Sequence, residues 1–151
     1  MARKTTEARN RADERRLLKQ YLTRYYRLNE RQAILQTRLA RLRHDLRQNA
    51  DVDTSEIEAE IQSQAERAKD AAQEIIGILD LLPPHSIGRA IVEFRHIDCR
   101  DWFDIQEAIH LTSSPCYEQY NRALDYLLRC KEVRAALKLD QRFSKRKNTE
   151  F

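Results

Sequence analysis

Glycine occurs only twice and proline three times in 151 residues, and this shortage of turn chemistry constrains the fold more than any other feature of the chain. Sheets are built with tight corners, and those corners draw on Gly, Pro and Asn-Gly pairs. Valine appears 3 times against 17 Leu and 16 Ala, so the material suits helices rather than strands. Charged residues make up 34% and apolar ones 41%. The apolar side chains must therefore lie in stripes along helices instead of in one thick core. All-β folds and glycine-loop nucleotide binders are poorly served by such a composition, and an all-α chain is expected.

Further bounds follow from the same residues. The opening Met1-Ala2-Arg3-Lys4 leads into charge and not into an apolar run, so no signal peptide is expected. The most apolar stretch, Ile75 to Leu82, is interrupted by Asp80 and falls far short of the roughly 20 residues of a membrane span. Cys99, Cys116 and Cys130 are odd in number and widely spaced, which suits reduced thiols. A cytoplasmic protein without membrane contact is the expectation.

The net charge of +4 conceals a strong pattern. Residues 1–48 carry net +9, residues 49–88 net −7, residues 89–128 net −3 and residues 129–151 net +5. Within the first block, Leu18, Tyr21, Tyr25, Leu28, Gln32, Leu35, Leu39, Leu42 and Leu46 step alternately by three and four. That is a heptad seam with one polar member, and it predicts a helix from about residue 7 to residue 48. The pattern lapses from Gln48 to Thr54, where Asp53 or Ser55 can cap a second helix, with Glu56 or Glu58 three residues on. Ile57, Ile61, Ala65, Ala68, Ala72, Ile75, Leu79 and Leu82 make the second seam, and Pro83-Pro84 ends it.

Two seams joined by a short polar loop predict an antiparallel helical hairpin, a coiled-coil arm over residues 1–82. Pairing Leu46 with Ile57 would bring Leu28 near Ile75 and Tyr21 near Leu82. The opposed charges favour this pairing, each exposed pair being worth only ~0.2–1 kcal/mol. Residues 1–17 overhang the register, and the sequence leaves open whether they fray, reach a partner or lie against the C-terminal part. Tyr21 and Tyr25 sit on the seam and are expected in the core; Tyr26 is off it.

Beyond the proline pair the elements shorten. Arg89 to Ile97 reads as a helix, Asp101 can cap another from Trp102 to His110, and Leu111-Thr112-Ser113 makes a turn. Ser114 is then a natural N-cap with Pro115 at the first helical position. Cys116, Tyr120, Ala123, Leu124 and Leu127 fall on the inward face of this last helix. Two short helices, a tight turn and a longer helix give the outline of a helix-turn-helix over residues 85–130, with a basic helix or tail over 131–151.

The stretch from Arg89 through Phe94 and Arg95 to Ile97, then Asp101-Trp102-Phe103-Asp104-Ile105, then Tyr117, Tyr120, Arg122, Ala123 and Leu124 resembles the sigma-70 region 4-like domain of small phage regulators of the ArpU and RinA type. The resemblance covers about residues 78–128. It implies a late-gene or packaging type of transcriptional regulator that binds double-stranded DNA through the helix from Pro115 to Leu128 and contacts RNA polymerase. Trp102 and Ile105 match the scaffold-helix core, Arg89 and Arg95 the two arginines of the first helix, Tyr117 the tyrosine of the reading helix, and Arg122 the basic residue before Ala-Leu. Glu118 stands where the family usually has Arg, and His96 where it has Tyr.

Ser113, Ser114, Tyr117, Glu118, Asn121 and Arg122 are the candidate DNA-reading residues, Asn121 and Arg122 being suited to adenine and guanine edges. Lys131 and the other cations of the tail (Arg129, Arg134, Lys138, Arg142, Lys145, Arg146 and Lys147), together with the N-terminal overhang, are candidate phosphate contacts. Two half-sites call for a homodimer, which the seam containing Gln32 can supply. The alternative is a protein-interaction module of the same fold, favoured by the acidic net charge of residues 89–128. A metal set can be drawn from His96, Cys99, His110 and Cys116, but buried structural cysteine explains Cys116 better. No paired carboxylates, glycine loop or triad points to an enzyme, a small-molecule substrate or a cofactor.

Overall fold

A computed structural model describes residues 2–46 and 53–139 of the chain. Seven helices and no strand occur among them: α1 (Ala2–Leu22), α2 (Arg24–Leu46), α3 (Ser55–Leu79), α4 (Ile87–His96), α5 (Trp102–Ile109), α6 (Ser113–Leu128) and α7 (Lys131–Ala136). The loop expected over Gln48 to Val52 and the tail cations Arg142, Lys145, Arg146 and Lys147 lie outside the described residues. No helix among the described residues is long and apolar enough to cross a membrane.

The single helix expected over residues 7–48 is instead interrupted at Thr23. The Thr23 amide and hydroxyl both donate to the Lys19 carbonyl, at 3.0 and 2.6 Å. Thr37 makes the same back-bond to Ala33 at 3.0 Å inside an unbroken α2, so the hydroxyl alone does not end α1, and the heptad pattern carries no trace of the interruption. Packing divides the described chain into two units: the part up to Thr23 joined by the part from Ile75 onward, and Arg24–Glu74.

The Arg24–Glu74 unit is held by a thin apolar seam and by charge. Leu35, Leu39, Ala68 and Ala71 are buried, while Tyr25, Leu28, Gln32, Leu42, Ile57, Ile61, Ala65 and Ala72 are half-buried, so the seam residues turn away from water as their spacing predicts. Arg24 pairs with Glu74, Arg31 with Glu60 and Arg43 with Glu58. These exposed pairs orient more than they stabilise. Tyr26 is exposed and donates its hydroxyl to Glu30 at 2.6 Å, one turn along the same helix. At the start of α3, Asp53 accepts from the Ser55 amide at 2.9 Å, which lowers the Asp53 pKa.

The other unit is centred on α6, which packs against α1, α4 and α7. Its inward face, Cys116, Tyr120, Ala123, Leu124, Leu127 and Leu128, is buried as the helical spacing requires. Ile91 and Val92 of α4, Ile105 of α5, Val133 of α7, Leu18 and Leu22 of α1, and Ile75, Ile78, Leu79 and Leu82 complete the core. Each fully buried Leu, Ile or Val contributes about 1.5–3 kcal/mol. The crossing of α4 and α6 depends on Gly88: a Cβ there would lie 2.9 Å from the Ala123 Cβ and 3.3 Å from the Gln119 carbonyl oxygen. Only hydrogen fits between the two backbones.

Local chemistry sets the helix ends. After Pro83, Ser86 accepts from the Arg89 amide at 3.2 Å and starts α4 two residues earlier than Arg89. Asp101 caps α5 by accepting from the Asp104 amide at 2.8 Å, as its position before Trp102 predicts. The expected Ser114 cap is displaced: α6 begins at Ser113, its N-cap is Thr112, and the Thr112 side chain makes no capping bond. Pro115 is thus the third helical residue and not the first. This costs nothing in hydrogen bonds, because the amides of the first turn lack intrahelical partners in any case.

Candidate nucleic-acid interface

α5 and α6 are joined through a turn that a glycine-poor chain makes without glycine. His110 adopts a left-handed conformation with φ of 57°, its amide donates to Glu107, and the Leu111 amide donates to Gln106 at 3.1 Å. This is the two-bond helix cap in which glycine is the usual residue. Cys99 and Lys138 are left-handed in the same way, at φ of 55° and 57°. The turn leaves a shallow open concavity lined by Phe103, Gln106, Glu107, His110 and Ser113, in which Phe103 is 66% exposed.

The candidate reading residues divide as follows. At 100° per residue, Ser114, Glu118 and Arg122 fall on the arc of α6 opposite its buried face, whereas Tyr117 and Asn121 fall at the edge of that face beside Leu124 and Leu128, Asn121 next to the Asp125 that Arg15 binds. Ser114, Tyr117, Glu118 and Arg122 are exposed and Asn121 is half-buried. Ser113 is exposed where the helix starts, and Lys131 is exposed on α7, so neither belongs to that arc. Arg122 donates to Glu118 at 2.8 Å, a pair one turn apart and fully at the surface. The arc therefore presents the Ser114 hydroxyl and a guanidinium already in contact with a carboxylate, with the Tyr117 phenol and the half-buried Asn121 amide at its rim.

Behind the arc an aromatic cluster locks α6 to α4 and α5. The Trp102 ring lies 4.6 Å from Tyr117 and 4.8 Å from Tyr120, and the Arg95 guanidinium stacks on it at 5.0 Å. Trp102 is packing rather than a ligand contact. His96 Nε2 and the Tyr120 hydroxyl share a buried hydrogen bond of 2.8 Å. Burial is the main reason the His96 pKa falls to about 4, and the nearby Arg95 and Lys19 charges add to it. The same burial raises the Tyr120 hydroxyl. The pair is a neutral hydrogen bond at ordinary pH.

The N-terminal overhang is resolved in the third of its three alternatives: α1 lies on α6. Arg15 grips Asp125 through two nitrogens, with Nε at 2.7 Å from Oδ1. That bond raises the Arg15 pKa. Arg134, only 7% exposed, donates to both Glu14 oxygens at 3.1 Å and to the Leu128 carbonyl at 3.0 Å. The Lys19 ammonium sits 5.7 Å from the Tyr120 ring centre. Arg134 is consequently a structural cation held inside the fold, not one of the phosphate contacts expected of the tail. Glu14, Arg15, Lys19 and Asp125 were not singled out as functional by spacing, since partners 110 and 120 residues apart leave no periodic signal.

The soft side chains are placed apart. Among the described residues no three His, Cys, Asp or Glu side chains gather into a metal-binding group. His96 is committed to Tyr120, Cys99 donates to the Ile97 carbonyl at 3.7 Å, and Cys116 is buried in the core. Burial raises the pKa of all three thiols, which keeps them protonated. No family model, curated protein or solved structure matches the chain.

Proposed function

We propose that the chain is a sequence-specific DNA-binding transcriptional regulator of the phage late-gene type, in which α4, α5 and α6 act as a sigma-70 region 4-like helix-turn-helix. The observation that carries this reading is the outward arc of α6. It sets Arg122, suited to guanine edges, with Ser114 and Glu118 on the exposed face of a helix fixed from behind by Trp102 and Tyr120, and leaves Asn121, suited to adenine edges, half-buried at the rim of that face. The α5-to-α6 turn is three residues long, which suits a helix presented to a major groove. The Arg24–Glu74, Arg31–Glu60 and Arg43–Glu58 pairs support an antiparallel hairpin of α2 and α3. In this reading the hairpin is the arm through which a homodimer forms or RNA polymerase is met.

Retention on duplex DNA across a salt series tests the proposal. Binding that weakens steeply with salt and is lost on Arg122→Ala supports it, and no retention at low salt refutes it. Light scattering at micromolar concentration tests the dimer, against which a strict monomer would count. A second reading, a protein-interaction module of the same fold, is favoured by one observation: Arg122 is already neutralised by Glu118 while Phe103 beside the turn is widely exposed. That reading predicts capture of polymerase without DNA.

A further inference from the structure

We infer that α1 and α6 together form a basic ridge that grips the phosphate backbone of duplex DNA, with Arg11 and Arg129 as its paired cations. The inference rests on the reading of α6 as a DNA-facing helix and names the residues that would supply its affinity. Arg15 meets Asp125 and Lys19 meets Tyr120, so numbers rise on one helix as they fall on the other and the two run antiparallel. Arg11 lies one turn before Arg15, and Arg129 lies one turn after Asp125. The same four-residue step advances both by ~6 Å in the same direction. It also keeps each on the face of the residue it is stepped from. Arg11 and Arg129 thus stand side by side at the surface, where both are exposed. Lys131, also exposed, opens α7 directly beyond them.

Charge points to the same partner. Residues 75–139 carry eight Lys/Arg and nine Asp/Glu, too few cations for a duplex-binding surface, whereas residues 2–23 carry seven and three. By sequence, α1 adds net +4 to residues that are net −1 without it. Of the acidic residues near the ridge, Asp125 is held by Arg15, Glu14 by Arg134 and Asp13 by Arg16, while Glu132 stands exposed beside Lys131. Adjacent like charges repel, and a row of phosphates relieves that repulsion by counterion release. An acidic protein would also be attracted. Duplex DNA is favoured because Arg129 falls on the same face of α6 as Arg122, placing backbone grip and base reading on one surface.

The test uses the full chain with a fluorescein-labelled mixed-sequence duplex of about 24 base pairs, titrated by anisotropy between about 50 and 200 mM salt. Each phosphate contact contributes about 0.9 to the salt slope. The double variant Arg11→Ala/Arg129→Ala is expected to lower the slope by about 1.8 and weaken binding several-fold, with helicity unchanged by circular dichroism. Arg67→Ala, an exposed cation of α3, is expected to leave the slope as it is. An unchanged slope in the double variant overturns the ridge while leaving DNA binding by α6 intact. Failure of the wild type to bind the duplex at the lowest salt overturns both. Tighter binding of polyglutamate than of duplex, lost in the double variant, assigns the ridge to an acidic protein and overturns the inference.

Discussion

His96 is 4% exposed, hydrogen-bonded to Tyr120 and faced by Lys19 and Arg95, so its protonation is opposed by both burial and charge. Its pKa of about 4 in the folded chain lies below the ordinary histidine value of 6.5. A depressed histidine pKa means that the unfolded chain binds the proton more readily. The stability contributed by neutral His96 is complete above about pH 6.5 and is lost as pH falls towards 4. The unfolding free energy from urea titrations is expected to drop by about 2 kcal/mol between pH 7 and pH 5. A His96→Gln variant should show a much flatter profile; an equally steep one would show that His96 is not the group responsible. The two glycines should respond to alanine with opposite signs. Gly77 has open space around its Cα inside α3, so Gly77→Ala is expected to stabilise by about 0.5–1 kcal/mol. Gly88→Ala forces α4 off α6 and should cost about 1–3 kcal/mol. His110→Gly is expected to relieve the left-handed cap and stabilise by about 0.5 kcal/mol. These roles were unevenly legible. Glycine scarcity announced helices, but it gave no sign that His110, Cys99 and Lys138 would take the left-handed positions.

At the scale of elements, the ends that depend on neighbouring residues could be read directly. Asp101 caps α5 where its position before Trp102 predicts, because the effect acts within one turn, whereas α3 ends at Leu79, three residues short of the expected end at Leu82 before Pro83. Pro115 misled by two residues because proline is tolerated throughout the first turn. Thr23 misled because α1 ends before it while the apolar spacing continues undisturbed, and the back-bond it makes is also made by Thr37 without ending α2. The docking of α1 was beyond reach, since Glu14 and Arg134 are 120 residues apart and either could have paired locally. Their unequal burial predicts unequal energies. Glu14→Gln leaves the Arg134 charge inside the fold and should cost about 2 kcal/mol, a buried-pair value discounted for the partial exposure of Glu14. Asp125→Asn breaks a pair about one-third exposed and should cost under about 1 kcal/mol. Chemical denaturation of both variants checks the order, and the reverse order would remove Arg134 as the main anchor of α1.

At the scale of the molecule, charge is organised by unit and not by sequence block. The basic block of residues 1–48 is shared out: its first part docks on α6 and its remainder faces the acidic α3 residues Glu58, Glu60 and Glu74. The acidic balance of residues 89–128, read alone, argued against DNA, and the cations of α1 change that balance. The reading arc of α6 was legible because it is the complement of a buried face with a clean helical period. The ridge beside it was not, because it exists only once α1 has folded back. The most direct test of the α6 reading is selection from a random duplex pool, followed by comparison of the selected site with its scrambled form. The account predicts an enriched sequence whose preference falls about 5- to 150-fold on Arg122→Ala. Absence of enrichment, or the same enriched sequence and preference with Arg122→Ala, would contradict it.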